Sequence, residues 1–140
     1  MSELRQSDAI LHAGDLTGLT FLDELLSLGP PVHAIHGNAD ELAVGDRLPG
    51  ELTVELAGVT VALAHIPGPR AGREERLRRR FPDADAVVYG HTHAPQVERF
   101  DGAWILNPGS PTERRRSPSR AMLRLDLDRG RLRPRLLLLP

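Results

Sequence analysis

Short segments of distinct hydrophobic pattern follow one another along the chain, and each predicts one element. An apolar run at residues 9–12 leads into a Gly-Asp pair, which is typical of a buried parallel strand that presents a polar residue at its carboxyl end. A leucine-rich stretch at 20–28, stopped by a Gly-Pro pair, predicts a helix, and residues 32–36 predict a second strand. This strand, helix, strand order indicates a parallel pair.

Farther along the chain the pattern changes to alternation of apolar and polar residues. Alternating runs within residues 51–65 meet at Ala57-Gly58, which predicts a tight hairpin. A charged segment at 73–81 predicts a surface helix, and residues 84–89 predict another buried strand. Two more hairpins are expected, with turns at Asp101-Gly102 and at 128–130. Pro134 places the last strand at a sheet edge, because proline donates no ladder hydrogen bond.

Length and composition narrow the possible classes of protein. A chain of 140 residues predicts one domain, residues 1–140, with a core of its own. Neither a signal peptide nor a membrane-length apolar stretch is present, so a soluble, cytoplasmic protein is expected. The net charge of −1 does not indicate a nucleic-acid partner. The arginine clusters at 70–80 and 114–120 are interpreted as solvated faces, with a basic rim that helps to capture an anionic ester as the alternative. The pattern leaves the oligomeric state open.

Candidate chemistry lies where predicted strands end in small polar clusters beside glycine or alanine. Because the chain has no cysteine, any metal must be held by Asp, Asn, Glu or His. Such a donor set of imidazole, carboxylate and amide oxygen suits manganese, zinc or iron better than calcium. Glycine beside a ligand lets the backbone turn sharply and approach an ion closely. The clusters are Gly14-Asp15, Gly37-Asn38-Ala39-Asp40, Ala64-His65 and Gly90-His91-Thr92-His93.

Together with Asn107-Pro108-Gly109-Ser110, these clusters resemble in order and spacing the calcineurin-like metallophosphoesterase superfamily. The resemblance is strongest to its small bacterial phosphodiesterase branch and extends from Ala9 to about Leu127. It implies an α/β (α+β) fold, a mixed two-sheet β-sandwich flanked by helices, with a binuclear metal site at the strand ends. It also implies hydrolysis of a small phosphate ester, either a phosphodiester or a phosphomonoester, while charge and the lack of a membrane-length stretch indicate no nucleic-acid or membrane partner.

The resemblance assigns roles to individual residues. Asp15 would bridge two ions, while Asn38, His65 and His91 would hold one of them and His93 the other. Manganese is the expected metal, with zinc, iron or nickel as alternatives and two ions in a complete site. Asp15, Asn38 and His91 are the expected catalytic residues, because Asp15 would position the attacking hydroxide and His91 would steady a phosphate oxygen.

One family motif does not occur in this sequence. The family takes the remaining two ligands of the first ion from an Asp-x-His motif after an opening strand, and no Asp-x-His occurs here. We interpret this as an N-terminally truncated domain, with a mis-called start codon as the simplest explanation and a degenerate gene as the second. An impaired site is expected, unless Asp40 or Glu113 supplies the missing ligands. Ala39 stands where many members carry a histidine that protonates the leaving group.

One alternative concerns the function of the whole chain, and others concern single residues near the motifs. The chain could be a non-catalytic scaffold, as the metallophosphoesterase-like subunit of retromer is, although this sequence keeps every family ligand downstream of its start. Some residues near the motifs also have ordinary structural explanations. His12 is expected to be a core or supporting histidine, His33 to be exposed and residues 107–110 to form a turn, while His36 is ambiguous.

Overall fold

A computed structural model of the chain describes residues 2–16, 18–38, 40, 42–111 and 119–140. The remaining positions, which include Ala39 and Glu113, lie outside the described residues. The helices are α1 (Ser2–Arg5), α2 (Leu19–Leu26), α3 (Leu42–Arg47) and α4 (Arg73–Arg80). The strands are β1 (Ile10–His12), β2 (Val32–Ala34), β3 (Glu51–Leu56), β4 (Val59–Ala64), β5 (Ala86–Tyr89), β6 (Gln96–Phe100), β7 (Ala103–Asn107), β8 (Arg120–Asp128) and β9 (Arg131–Leu139).

The largest sheet has five strands in the order β3-β4-β5-β7-β6. Its three inner strands run parallel and are almost wholly buried, as expected for small and β-branched residues covered on both faces. The outer strands β3 and β6 are joined to the inner ones as antiparallel hairpins, which confirms the predicted turns at Ala57-Gly58 and Asp101-Gly102.

A second layer packs on one face of this sheet and consists of two separate two-stranded pieces. One piece is the parallel pair β1–β2, as predicted, and the other is the antiparallel hairpin β8–β9. Leu123, Leu125 and Leu127 alternate inward from β8 and pack against Val61 and Val88 of the five-stranded sheet. The predicted sandwich of a mixed sheet and a second layer is therefore confirmed.

Helices cover the two outer faces of this arrangement. Leu22 and Leu25 of α2 pack on the outer side of β1–β2 together with Val44 of α3, whereas Leu77 of α4 packs under the five-stranded sheet. Helix α3 was not predicted, because only Val44 is buried in its six residues and this is too little for a periodic pattern. Among the described residues no helix exceeds eight residues, and none is a candidate for spanning a membrane.

The carboxyl ends of strands from both layers meet at one edge. The His12 carbonyl accepts a hydrogen bond from the Ile35 amide at 3.1 Å, and the Ala64 carbonyl accepts one from the Gly90 amide at 3.2 Å. The His65 ring connects the layers, because its Nδ1 lies 2.8 Å from the Ala13 carbonyl oxygen. The polar clusters that follow these strands are thereby brought to the same place.

Candidate metal centre

Three predicted ligands form one compact group where these strands end. Asp15, His65 and His91 each offer a ligand atom, and these atoms all lie within 4.8 Å of one another. The Asp15 and His65 side chains are largely buried, with 14% and 5% of their surface exposed. Such a group of one carboxylate and two imidazoles has the composition and spacing of a site for a divalent cation.

The hydrogen bonds of His65 assign its tautomer. Since the Ala13 carbonyl oxygen can only accept, we assign the ring proton to Nδ1, which leaves a lone pair on Nε2. That Nε2 atom lies 2.7 Å from Oδ1 of Asn38 and 3.2 Å from Oδ2 of Asp15. A backbone carbonyl that accepts from the far ring nitrogen is the usual partner of a metal-ligating histidine.

Asn38 and His91 complete the group on its exposed side. Nδ1 of His91 lies 3.2 Å from the same Asn38 Oδ1 atom, and the His91 ring stands edge-on to the His65 ring with centroids 5.2 Å apart. The structure thus brings Asp15, Asn38, His65 and His91 together. His93, the fifth predicted ligand, does not belong to the compact group found among the described residues.

Glycines around this group have no room for a side chain. A Cβ atom added to Gly37 would lie 2.3 Å from Oδ1 and 2.5 Å from the amide nitrogen of Asp15. At Gly14 it would lie 2.5 Å from Nδ1 of His65, and at Gly90 it would lie 2.7 Å from the Ala13 carbonyl oxygen. The close approach that these glycines permit is what allows three loops to converge on one point.

Unusual backbone conformations are concentrated in the same loops. Of the described non-glycine residues with positive φ, three lie in hairpin turns, whereas the other three are the predicted ligands Asp15 (59°), His91 (70°) and His93 (58°). The left-handed region is unfavourable for residues with a Cβ atom, by roughly 1–2 kcal/mol. Such strain away from tight turns is typical of functional sites, where the surrounding structure maintains it.

Asp40 supports the group from behind. Its Oδ2 atom accepts hydrogen bonds from the Gly37 amide at 2.6 Å and from the Asp15 amide at 3.1 Å. The carboxylate therefore ties the loop after β2 to the loop after β1 and orients the backbone of Asp15. The supporting position suggested by its nearness to Asn38 in the sequence agrees with this geometry, and a carboxylate oxygen engaged in this way is poorly placed to replace a missing ligand.

Asn107 organises the turn that carries the histidines, and its importance was missed at the level of sequence. The side chain is fully buried, and its Nδ2 donates to Oγ1 of Thr92 at 2.9 Å and to the Gly90 carbonyl at 3.4 Å. Its Oδ1 accepts from the Gly109 amide at 2.8 Å, so the predicted turn at 107–110 is braced against the His91-Thr92-His93 turn. A polar residue at the end of a buried strand was the available signal.

A second network supports the base of that turn from the α4 side. The Tyr89 hydroxyl donates to Oε1 of Gln96, whose Nε2 donates to Glu74 at 2.8 Å, and the Arg73 guanidinium lies 5.4 Å from the Tyr89 ring centroid. Burial raises the pKa of Tyr89, whereas a backbone hydrogen bond and the contact with Gln96 lower the pKa of Glu74. Tyr89 therefore acts here as a neutral donor that fixes the strand leading into the turn.

His12 lies beneath the group and accepts a hydrogen bond at Nδ1 from the Gly14 amide at 3.2 Å. Burial lowers the pKa of this imidazole from 6.5 to about 4, although Asp40 and Asp15 oppose the effect. The neutral ring is the form that can accept from Gly14. His12 is thus a supporting histidine and lies outside the compact group of the described residues, as its place in a buried strand suggested.

This shift predicts a loss of stability in weakly acidic solution. Because the folded pKa lies below the unfolded one, the stabilising effect is present above pH 6.5 and is lost as the pH falls toward 4. The metal-free protein should lose up to about 3 kcal/mol through this group, at about 1.4 kcal/mol per pKa unit. Urea unfolding in EDTA between these pH values should give a smaller loss for His12→Asn, whose amide oxygen can accept without titrating. Equal losses in both proteins would contradict this account.

The donor atoms fit a divalent cation. With the ring proton assigned to Nδ1, Nε2 of His65 keeps a lone pair and lies 2.7 Å from Oδ1 of Asn38 and 3.2 Å from Oδ2 of Asp15, with no proton between them. A positive charge between these three atoms would convert their repulsion into attraction. The four side chains that would hold it are Asp15, Asn38, His65 and His91.

Comparison with known proteins agrees with this geometry. The sequence profile of the calcineurin-like phosphoesterase superfamily domain matches residues 1–130. A probable metallophosphoesterase of Methanothermobacter thermautotrophicus is 38% identical over 125 residues, which cover 87% of this chain and 72% of that protein.

Two solved structures share the fold. Wild-type Vps29 from Entamoeba histolytica, complexed with Zn²⁺, is 23% identical with a TM-score of 0.74 and a match to 98% of this chain and 86% of that one. A novel archaeal phosphodiesterase is 22% identical with a TM-score of 0.72 and a match to 93% and 83%. The family resemblance of the sequence motifs is confirmed: this chain belongs to the calcineurin-like phosphoesterase superfamily.

Proposed function

We propose that the protein is a metal-dependent phosphoesterase that hydrolyses small phosphodiesters, and phosphomonoesters as the alternative, in the cytoplasm. The observation that carries this proposal is the convergence of Nε2 of His65, Oδ1 of Asn38 and Oδ2 of Asp15. The shared fold of the archaeal phosphodiesterase supports the choice of diesters as substrates. The family membership supports phosphate esters in general.

Asp15 and His91 have different roles in the proposed reaction. When bound, divalent ions supply Lewis-acid stabilisation of phosphoryl oxygens and lower the pKa of water. Asp15, whose backbone is tied down by Asp40, can accept a hydrogen bond from the attacking water and orient it. His91 lies on the exposed side of the group, where its imidazole can contact a phosphate oxygen.

The ligand set favours unequal occupancy of the two metal positions. Of the predicted ligands, Asp15, Asn38, His65 and His91 would supply four to one ion, whereas Asp15 and His93 would supply two to the other. Because two protein ligands seldom hold an ion against water, we propose one tight and one weak position. Manganese is the metal that we propose, since imidazole, carboxylate and amide oxygen all suit it.

Ala39 influences which esters react. Without a histidine at this position to protonate the leaving group, esters with acidic leaving groups should react fastest. Nitrophenolate leaves without help, so bis-p-nitrophenyl phosphate is the appropriate first substrate.

The test is manganese-dependent hydrolysis of bis-p-nitrophenyl phosphate. We expect slow turnover that EDTA abolishes and added Mn²⁺ restores, together with one Mn²⁺ that binds much more tightly than any second ion in a calorimetric titration. Turnover that persists in EDTA would contradict the metal-dependent mechanism. Tight Mn²⁺ binding without turnover of either bis-p-nitrophenyl phosphate or p-nitrophenyl phosphate would instead favour a scaffold that has kept a metal site.

A further inference from the structure

A cleft of about 420 Å³ opens directly beside the metal ligands. Asn38 and His65 belong both to its wall and to the compact ligand group, so anything bound near those two side chains has this space within reach. Its volume is at the lower end of the range for pockets that hold small organic ligands. The remaining lining residues are His36, Gly37, Gly50, Ile66 and Arg80.

Ile66 provides an apolar surface next to the site. It directly follows the ligand His65 and is 53% exposed, which makes it one of the few large apolar side chains of the described residues that face solvent. An exposed isoleucine in the wall of a cleft, unlike one scattered on an open surface, offers area that a ligand can cover.

His36 also lines the cleft, and its backbone is held by a hydrogen bond. Its backbone amide donates to the Pro49 carbonyl at 3.0 Å, which joins the end of β2 to the segment before β3. Gly50 lies against the imidazole, since a Cβ atom at Gly50 would be 3.3 Å from Nε2 of His36. The cleft therefore owes part of its width to the missing side chain at Gly50.

Arg80 lines the cleft with a planar guanidinium that contacts Glu51 and Phe81. Its Nη2 lies 3.2 Å from Oε1 of Glu51, and its guanidinium stands 5.2 Å from the centroid of the Phe81 ring. Glu51 offsets part of the Arg80 charge through this one exposed contact. A guanidinium plane can still stack on an aromatic ring, which the neighbouring contact with Phe81 illustrates.

We propose that this cleft binds the organic group of the phosphate ester and that it selects a flat aromatic group. A branched apolar side chain, an imidazole and a guanidinium all make favourable contacts with an aromatic ring. The inference rests on the proposed function, because it requires the phosphoryl group to lie at the metal ligands.

The test compares phosphonates, which are not hydrolysed, by calorimetry at saturating Mn²⁺. Phenylphosphonate should bind about tenfold more tightly than methylphosphonate, which corresponds to about 1.4 kcal/mol. The phosphonate analogues of adenosine 5′-monophosphate and of ribose 5-phosphate, compared in the same way, show whether a nucleobase gains the same advantage as a simple aryl ring. If only the phenyl group raises the affinity, the cleft is assigned to aryl esters. If the phenyl group and the nucleobase both raise it, the assignment extends to nucleotides.

Two matched glycine substitutions locate the effect. Gly50→Leu places a side chain in the cleft against His36, and the backbone at Gly50 is outside the left-handed region, so the substitution brings no left-handed backbone strain. We expect it to remove most of the preference for phenylphosphonate. Gly45→Leu on α3, where an added Cβ meets nothing within 4 Å, should leave that preference unchanged.

The outcomes separate the inference from the function on which it rests. If both phosphonates bind equally, or if Gly50→Leu leaves the preference for phenylphosphonate unchanged, the cleft does not bind the organic group and the inference is overturned. If neither phosphonate binds to the Mn²⁺-loaded protein, the proposed phosphoesterase function fails, and the inference fails with it.

Discussion

Replacing His65 with alanine is expected to weaken the binding of the tighter Mn²⁺ by more than about a hundredfold, because even the loss of a supporting residue commonly costs 10–100-fold. His65 is the buried centre of the ligand group. Its Nε2 faces both Asn38 and Asp15, and its Nδ1 holds the Ala13 carbonyl at 2.8 Å. The substitution therefore removes a ligand and also unties the two layers that carry the other ligands.

Calorimetric titration with Mn²⁺ measures this effect, and thermal unfolding in EDTA separates it from a loss of fold. His33→Ala is the matched control, since His33 lies on β2 and is not in the compact group found among the described residues. It should bind Mn²⁺ as the unaltered protein does. A folded His65→Ala protein with unchanged affinity would remove His65 from the metal site and would refute the proposed arrangement.

The second large effect is expected from a single methyl group at Gly37. In Gly37→Ala the new Cβ would lie 2.5 Å from the Asp15 amide nitrogen and 2.3 Å from its Oδ1, so the backbone of one of the two loops must move. That movement would also break the hydrogen bonds that the Gly37 and Asp15 amides donate to Oδ2 of Asp40. Since misplacement by about 1 Å can lower a rate about a hundredfold, we expect a loss of that size in turnover of bis-p-nitrophenyl phosphate.

Gly45→Ala tests whether the effect is specific to the site. Gly45 is inside α3, and an added Cβ meets nothing within 4 Å, so alanine should raise the free energy of unfolding by up to about 1 kcal/mol through its better helix propensity. Turnover should stay unchanged in this variant. A Gly37→Ala protein with normal turnover would show that the two loops are not held as closely as described.

The part of the fold that follows from local pattern could be predicted from the sequence. Alternation identified the three hairpins, and the turns at Ala57-Gly58 and Asp101-Gly102 lie where Gly and Asp favour positive φ. The buried runs before Asp15 and Gly90 became parallel strands, because only covered strands tolerate such continuous apolar sequence. Helix α3 escaped prediction because one buried valine carries almost no periodic signal.

The candidate site, like the fold, could be predicted from the sequence only in part. The resemblance of the ordered polar motifs to the family implied Asp15, Asn38, His65, His91 and His93 as ligands, and the structure brings the first four together. The sequence did not show that Asn107 braces the histidine turn or that His36 and Arg80 line a cleft beside the ligands. Those relations join residues far apart in the chain, and no local pattern encodes them.

The sequence by itself therefore indicated most of the elements, the family and the candidate metal ligands, because each depends on neighbours in the chain or on ordered motifs. The tertiary structure decided which donor atoms of these residues lie close together. The Ala13 carbonyl selects the His65 tautomer, Asp40 joins two loops, and His93 lies outside the compact group of the described residues. Distances of a few ångströms between distant segments set ligand geometry, and they arise only when the two layers pack together.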